Sequence, residues 1–116
     1  MTQPRNIEVV IDEIIDHIDY VLARTQHRSI VEFRADRDLR QSVERSLEII
    51  SEASRRLPDE LKSMRPDIPW RQVADVGNVL RHSYFAVKVD IVWAIISEDL
   101  EPLRDALVRL RGTLKQ

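Results

Sequence analysis

Glycine occurs only twice in this chain of 116 residues, at Gly77 and Gly112, and that scarcity restricts the fold more than any other feature. Tight turns draw on glycine, so a composition that is 43% hydrophobic and 33% charged with so little of it reads as long helices joined by few turns. The same scarcity removes whole classes of chemistry. A phosphate loop, a dinucleotide fingerprint and a nucleophile elbow each need more glycines, closely spaced, than the chain has. Cysteine is absent, which removes disulfides and thiolate metal sites. The length suits one domain, residues 1–116, with a single core. No run of about 18 apolar residues suggests a membrane span. The chain opens Met-Thr-Gln-Pro-Arg, without the basic-then-apolar order of an export signal, so a cytoplasmic protein is expected. A net charge of −2 gives no general pull towards nucleic acid, and any such binding must come from a local patch.

Hydrophobic periodicity predicts where the helices lie. Over residues 7–24, Ile7, Val10, Ile11, Ile14, Ile18, Val21 and Leu22 recur at three- and four-residue steps. The opposite side of that helix carries Glu8, Asp12, Asp16 and Asp19, a stripe of like charges that is solvated unless an arginine-rich neighbour meets it. Ser29-Ile30-Val31-Glu32 has the form of a capping box and opens a short helix. Residues 36–57 form the next one, with Leu39, Val43, Leu47, Ile50, Ala53 and Leu57 on one face and Pro58 limiting its continuation. Arginines 34, 37, 40 and 45 crowd its start, and intrahelical pairs with Asp36, Asp38 and Glu44 are the simplest use for them.

Residues 58–64 suit one short helix and residues 65–69 a stiff proline-bounded connection. A helix over 70–82 places Val73, Val76 and Leu80 towards the core, with Asn78, Arg81 and His82 on the other side. A brief link is expected after Tyr84, then a helix from about 90, and Pro102 is expected to start a new segment near 99 that Gly112 ends. The fold class is therefore all-α, an up-and-down bundle of five or six helical segments.

The chemistry concentrates in residues 76–85, where Asn78, Arg81, His82 and Tyr84 stand among apolar neighbours. Elsewhere, Glu13, Asp16 and His17 are the nearest approach to a metal cluster. The paired Glu-x-x-His of a dimetal bundle is missing, so no metal is expected. An imidazole titrates near neutrality and shuttles protons, while an arginine stabilises charge on a phosphorane. Asn78, one turn before His82, is placed to orient either group. These are the parts of metal-free RNA cleavage, although spacing alone favours a histidine with a structural role.

Ile68-Pro69-Trp70-Arg71, Asn78-Val79-Leu80, His82, Tyr84-Phe85, Asp90-Ile91-Val92-Trp93 and Asp99-Leu100-Glu101-Pro102-Leu103 resemble the HepT-like branch of the HEPN domains. Glu44-Arg45-Ser46-Leu47-Glu48-Ile49-Ile50-Ser51-Glu52-Ala53 fits the same family, and order and spacing agree over nearly the whole chain. The resemblance implies a HEPN-like helical bundle that dimerises about a two-fold axis, bringing two motifs into one cleft. It implies a toxin-type, metal-independent endoribonuclease with RNA as substrate and no cofactor. It also implies a cognate minimal nucleotidyltransferase antitoxin that silences the nuclease by transferring AMP to a tyrosine. The family motif runs arginine, a polar residue, three more, histidine, any residue, tyrosine. Here the polar residue is Asn78, the histidine His82 and the modified tyrosine Tyr84.

The arginine of that motif is replaced by Gly77, and an arginine stands instead at 81, directly before the histidine. Two readings stay open. Either the cation has moved by one helical turn, leaving His82, Asn78 and Arg81 as the catalytic set, or the chain is an inactive HEPN scaffold or nucleotide-binding partner.

Overall fold

The computed structural model describes the backbone of residues 4–114 and the side chains of residues 6–114. Residues 1–3, on which part of the cytoplasmic expectation rests, and residues 115–116 lie outside that range. The helices are α1 (Pro4–Thr25), α2 (Ile30–Ala35), α3 (Arg37–Ser54), α4 (Asp59–Lys62), α5 (Trp70–Arg81), α6 (Phe85–Ala94) and α7 (Leu100–Leu114). A π-helical turn, Ile95–Asp99, joins the last two. There is no strand among the described residues. This is the all-α bundle that the periodicity predicts.

The packing follows from the apolar stripes. Helix α1 packs on α3 and α7, and α3 also packs on α5. Ile11, Ile14, Ile18 and Val21 of α1 meet Val43, Leu47 and Ala53 of α3 and Leu103, Ala106 and Leu107 of α7 in one core. Phe33 of α2 closes one end, its ring 5.3 Å from that of Trp93. Fully burying one such side chain contributes roughly 1.5–3 kcal/mol. No helix among the described residues is long and apolar enough to cross a membrane.

Local sequence sets the helix ends. Ser29 and Glu32 form the reciprocal capping box that opens α2, worth about 1 kcal/mol. Asp36 caps α3 by accepting from the Leu39 N–H at 3.0 Å. That helix stops at Ser54 rather than at 57, because the chain tightens there and Leu57 N–H bonds Ser54 O at 3.3 Å. Leu57 is buried all the same. Helix α4 is a single turn, shorter than residues 58–64. In the connection after it, Arg65 holds Asp67 through two bonds of 2.9 and 2.8 Å, and the Trp70 indole N–H donates to Lys62 O and Arg65 O.

Three expectations need correction. Helix α6 begins at Phe85 rather than near 90, so the link after α5 is only residues 82–84. Pro102 does not break the last helix. The turn before it widens, with Leu100 N–H bonding Ile95 O five residues back, and the rod from α6 to α7 runs on without interruption. Gly112 does not end α7, which continues to Leu114. An added Cβ there would meet nothing within 4 Å. That position faces solvent, and a helical glycine in such a place costs only about 1 kcal/mol.

The acidic stripe of α1 does meet an arginine-rich neighbour. Asp12 accepts from Arg111 at 2.6 Å and Asp19 from Arg104 at 2.5 Å, both on α7. These exposed pairs align the two helices more than they stabilise them.

Candidate active site

Helix α5 carries the motif, and α3 holds α5 in place. The buried Ser51 hydroxyl of α3 donates to Ala74 O at 2.8 Å, and its Oγ accepts from the Gly77 N–H at 3.3 Å. Arg55 adds two bonds to Ala74 O, at 3.1 and 2.7 Å. Gly77 and Leu80 are the fully buried residues of α5, whereas Val73 and Val76 are only half-buried. Both valines line a groove of about 440 Å³ between α5 and the π-helical turn, walled by Leu47, Ile50, Ile95 and Leu103 and rimmed by Asp67 and Asp99. Partial desolvation at the groove rim, and then the charge of Glu98, push the carboxyl of the exposed Asp99 above its ordinary range.

The end of α5 fixes the histidine. The His82 backbone N–H turns to Val79 O at 3.2 Å, a tightened last turn that leaves Asn78 O without its usual helical partner. The His82 ring supplies one, with Nδ1 2.9 Å from Asn78 O. A carbonyl only accepts, so Nδ1 is the donor, and in the neutral ring Nε2 then keeps its lone pair. His82 is exposed, which leaves Nε2 open to a substrate. Ser83 caps the next carbonyl, its hydroxyl donating to Val79 O at 2.7 Å.

Arg81 bends back along the helix over Gly77. A Cβ built on Gly77 would lie 3.3 Å from Arg81 Nη1, so the guanidinium occupies space that a side chain at 77 would otherwise enter. Tyr84, two residues past His82, is 86% exposed and makes no capping bond to α6. Asn78 contributes its carbonyl, and its exposed side chain is a separate group on the same surface. His82, Arg81, Asn78 and Tyr84 thus all lie at or beside the end of α5.

The other candidate cluster comes apart. Glu13 pairs with Arg56 at 2.6 Å, and His17 Nδ1 lies 3.2 Å from the Ser46 hydroxyl. Among the described residues no three His, Asp or Glu side chains gather in a way that could hold a metal ion. Of the arginines near the start of α3, Arg45 pairs within the helix as expected, although with Glu48 at 3.6 Å rather than with Glu44, and the others do not. Arg34 reaches Asp90 of α6 at 3.5 Å, Glu44 pairs with Lys88 at 3.7 Å, and Arg40 lies over the Phe85 ring, 4.8 Å from its centroid. Sequence reading missed that last contact. Two exposed aromatics in succession, Tyr84-Phe85, were the available signal.

The motif helix of this all-α bundle thus ends in an exposed histidine beside an arginine. Residues 6–110 match the family described as ribonuclease HepT-like, and the chain belongs to that family. The Probable ribonuclease HepT of Thermococcus cleftensis is 34% identical over 101 residues, covering 87% of this chain and 92% of that protein. A protein of Caldanaerobacter subterraneus named as an RNase is 31% identical over 93 residues, covering 80% of this chain and 83% of its own. Another so named, from Methanocaldococcus jannaschii, is 29% identical over 100 residues, covering 86% and 92%. No solved structure matches the chain.

Proposed function

We propose that the chain is a metal-independent endoribonuclease, the toxin of a toxin–antitoxin pair. The observation that carries this reading is the hold on His82, an exposed residue whose Nδ1 lies 2.9 Å from Asn78 O, so that in the neutral ring Nε2 is the nitrogen left to act as a base. In the proposed reaction Nε2 takes the proton of an RNA 2′-hydroxyl, and that oxygen attacks the adjacent phosphorus. The new 2′-O–P bond forms as the P–O5′ bond breaks, leaving a 2′,3′-cyclic phosphate, and the departing 5′ oxygen is protonated from the imidazolium or water. Arg81, placed over Gly77, stabilises the charge that builds on the phosphate oxygens. Purified protein should cleave RNA in the presence of EDTA, and His82→Ala should abolish the cleavage. Inert wild-type protein that gains activity on Gly77→Arg would favour the second reading, an inactive scaffold or nucleotide-binding partner, for which the glycine at the motif arginine speaks.

Control is proposed to come from a nucleotidyltransferase that moves AMP from ATP to Tyr84 Oη and releases pyrophosphate. The 86% exposure of Tyr84 beside His82 supports this assignment. The adenylate would set a bulky anion where the RNA phosphate must lie. Intact-mass analysis after reaction with the partner and ATP should show an added adenylate that Tyr84→Phe abolishes. Equal adenylation of that variant would remove Tyr84 from the scheme.

The active form is proposed to be a homodimer. One chain holds one motif, and the open apolar groove along α5, with Val79 37% exposed at its edge, offers a surface for a second copy.

A further inference from the structure

The Arg40–Phe85 pair has properties that a simple helix-to-helix contact does not require. Phe85 is 54% exposed and follows His82 by three residues, directly after Tyr84. Arg40 reaches it from α3, with its guanidinium over the ring. Its Nη1 donates to Arg34 O, which fixes the plane of the group. Among the described residues neither Arg40 nor the exposed Arg37, one turn before it, has a carboxylate partner. The nearby acids are largely engaged: Asp36 with Arg28, Asp90 with Arg34, and Glu44 with Lys88. Asp38 is left free. An exposed ring, overlain by an arginine with no carboxylate partner, therefore follows His82 by three residues in a chain whose net charge is −2.

Resting on the ribonuclease reading, we propose that Phe85 and Arg40 form a subsite for an unpaired nucleotide next to the scissile bond. The base stacks on the exposed ring and the edge of the arginine platform, while Arg40 and Arg37 face the adjoining phosphate. Every base has a π-face, so such a step is tolerant of sequence. It accepts only a base that has left a duplex, because a paired base already has its stacking neighbours. The subsite thus directs the nuclease to single-stranded segments.

The test separates binding from chemistry. A short, labelled single strand with 2′-O-methyl groups throughout offers no 2′-hydroxyl for attack, so its affinity reads the subsite whether or not the chain cleaves RNA. Fluorescence anisotropy should show wild-type protein binding it more tightly than the same strand annealed to its complement. Phe85→Ala and Arg40→Gln should each weaken binding by about tenfold, and Phe85→Trp should retain it, with Tm measured beside each. With cleavable RNA, the Phe85→Ala loss should fall mainly on KM. Equal affinity of all variants for the strand overturns the subsite, as does equal affinity for strand and duplex. It is also overturned if Phe85→Ala turns a dimer into a monomer at unchanged strand affinity, which would assign the ring to a contact between copies. Cleavage that fails while these binding differences hold would remove the ribonuclease reading and leave the subsite standing.

Discussion

One methyl group at position 77 should act in two opposite directions. Gly77 lies inside α5 with an ordinary helical backbone, for no described glycine has a positive φ. Alanine there should stabilise the fold by about 0.5–1 kcal/mol through helix propensity. The same Cβ would stand 3.3 Å from Arg81 Nη1, close enough to push the guanidinium off its position. If Arg81 is the cation of the reaction, Gly77→Ala should raise Tm and lower RNA cleavage together, while Arg81→Ala lowers cleavage by about 10²-fold or more with folding little changed. Unchanged cleavage in both variants would mean that Arg81 serves only as a favourable charge at the helix end. The reach of Arg81 towards 77 is legible in the sequence, because helical side chains lean to the N-terminus and 77 and 81 are one turn apart. The hold on His82 is not legible in the same way. Residue type suggests the Asn78 side chain as the orienting group, whereas the ring is held by the Asn78 carbonyl, freed when the last turn tightened.

Helix faces were easier to read than helix ends. The stripes of α1 and α3 follow from spacing alone, but α3 also buries Ser46, Ser51 and Ser54, which polarity would place outside. Each is satisfied internally: Ser51 by Ala74 O, Ser54 by Ser51 O, and Ser46 by His17. Their small size lets α1 and α5 approach closely. Pro102 misled the reading of the last helix because its missing N–H is accommodated by a widened turn, a backbone solution that no residue pattern announces. That turn ends at Asp99, whose carboxyl is shifted upward by partial desolvation and by Glu98. A raised carboxyl pKa in the fold means that the charged form is the costly one. Above the folded pKa the charge opposes folding, and below the ordinary carboxylate range, where both states are protonated, the effect vanishes. Asp99→Asn should therefore stabilise the fold at neutral pH and raise Tm, the stabilisation being no more than about 1 kcal/mol because the exposed group is screened. The gain should shrink as the pH falls through the raised pKa towards about 4. A gain of the same size at every pH would assign the effect to packing rather than charge.

Assembly links the groove along α5 to the chemistry at its end. Helix α5 packs closely on α3, while its other flank, bearing Val76 and Val79, opens onto the apolar walls of the groove. A symmetric pairing across that flank, with its two-fold axis running along α5, would cover Val79 and bring the ends of two α5 helices, each with its His82, to one side of the dimer. It would leave the Arg40–Phe85 surface, on the α3 side, open to RNA. This arrangement predicts that light scattering at micromolar concentration finds a dimer, and that Val79→Lys yields a monomer. Val79 is 37% exposed in the single chain, so the substitution should leave helical content and Tm nearly unchanged while burying an unpaired charge in the contact between copies. If the cleft formed by two chains is the working site, cleavage should fall with the dimer. Recovery of cleavage as the concentration of the variant is raised would then follow the recovery of dimer. A Val79→Lys monomer that cleaves RNA as fast as wild type would show one chain to be sufficient, and a wild-type monomer would remove the shared cleft altogether.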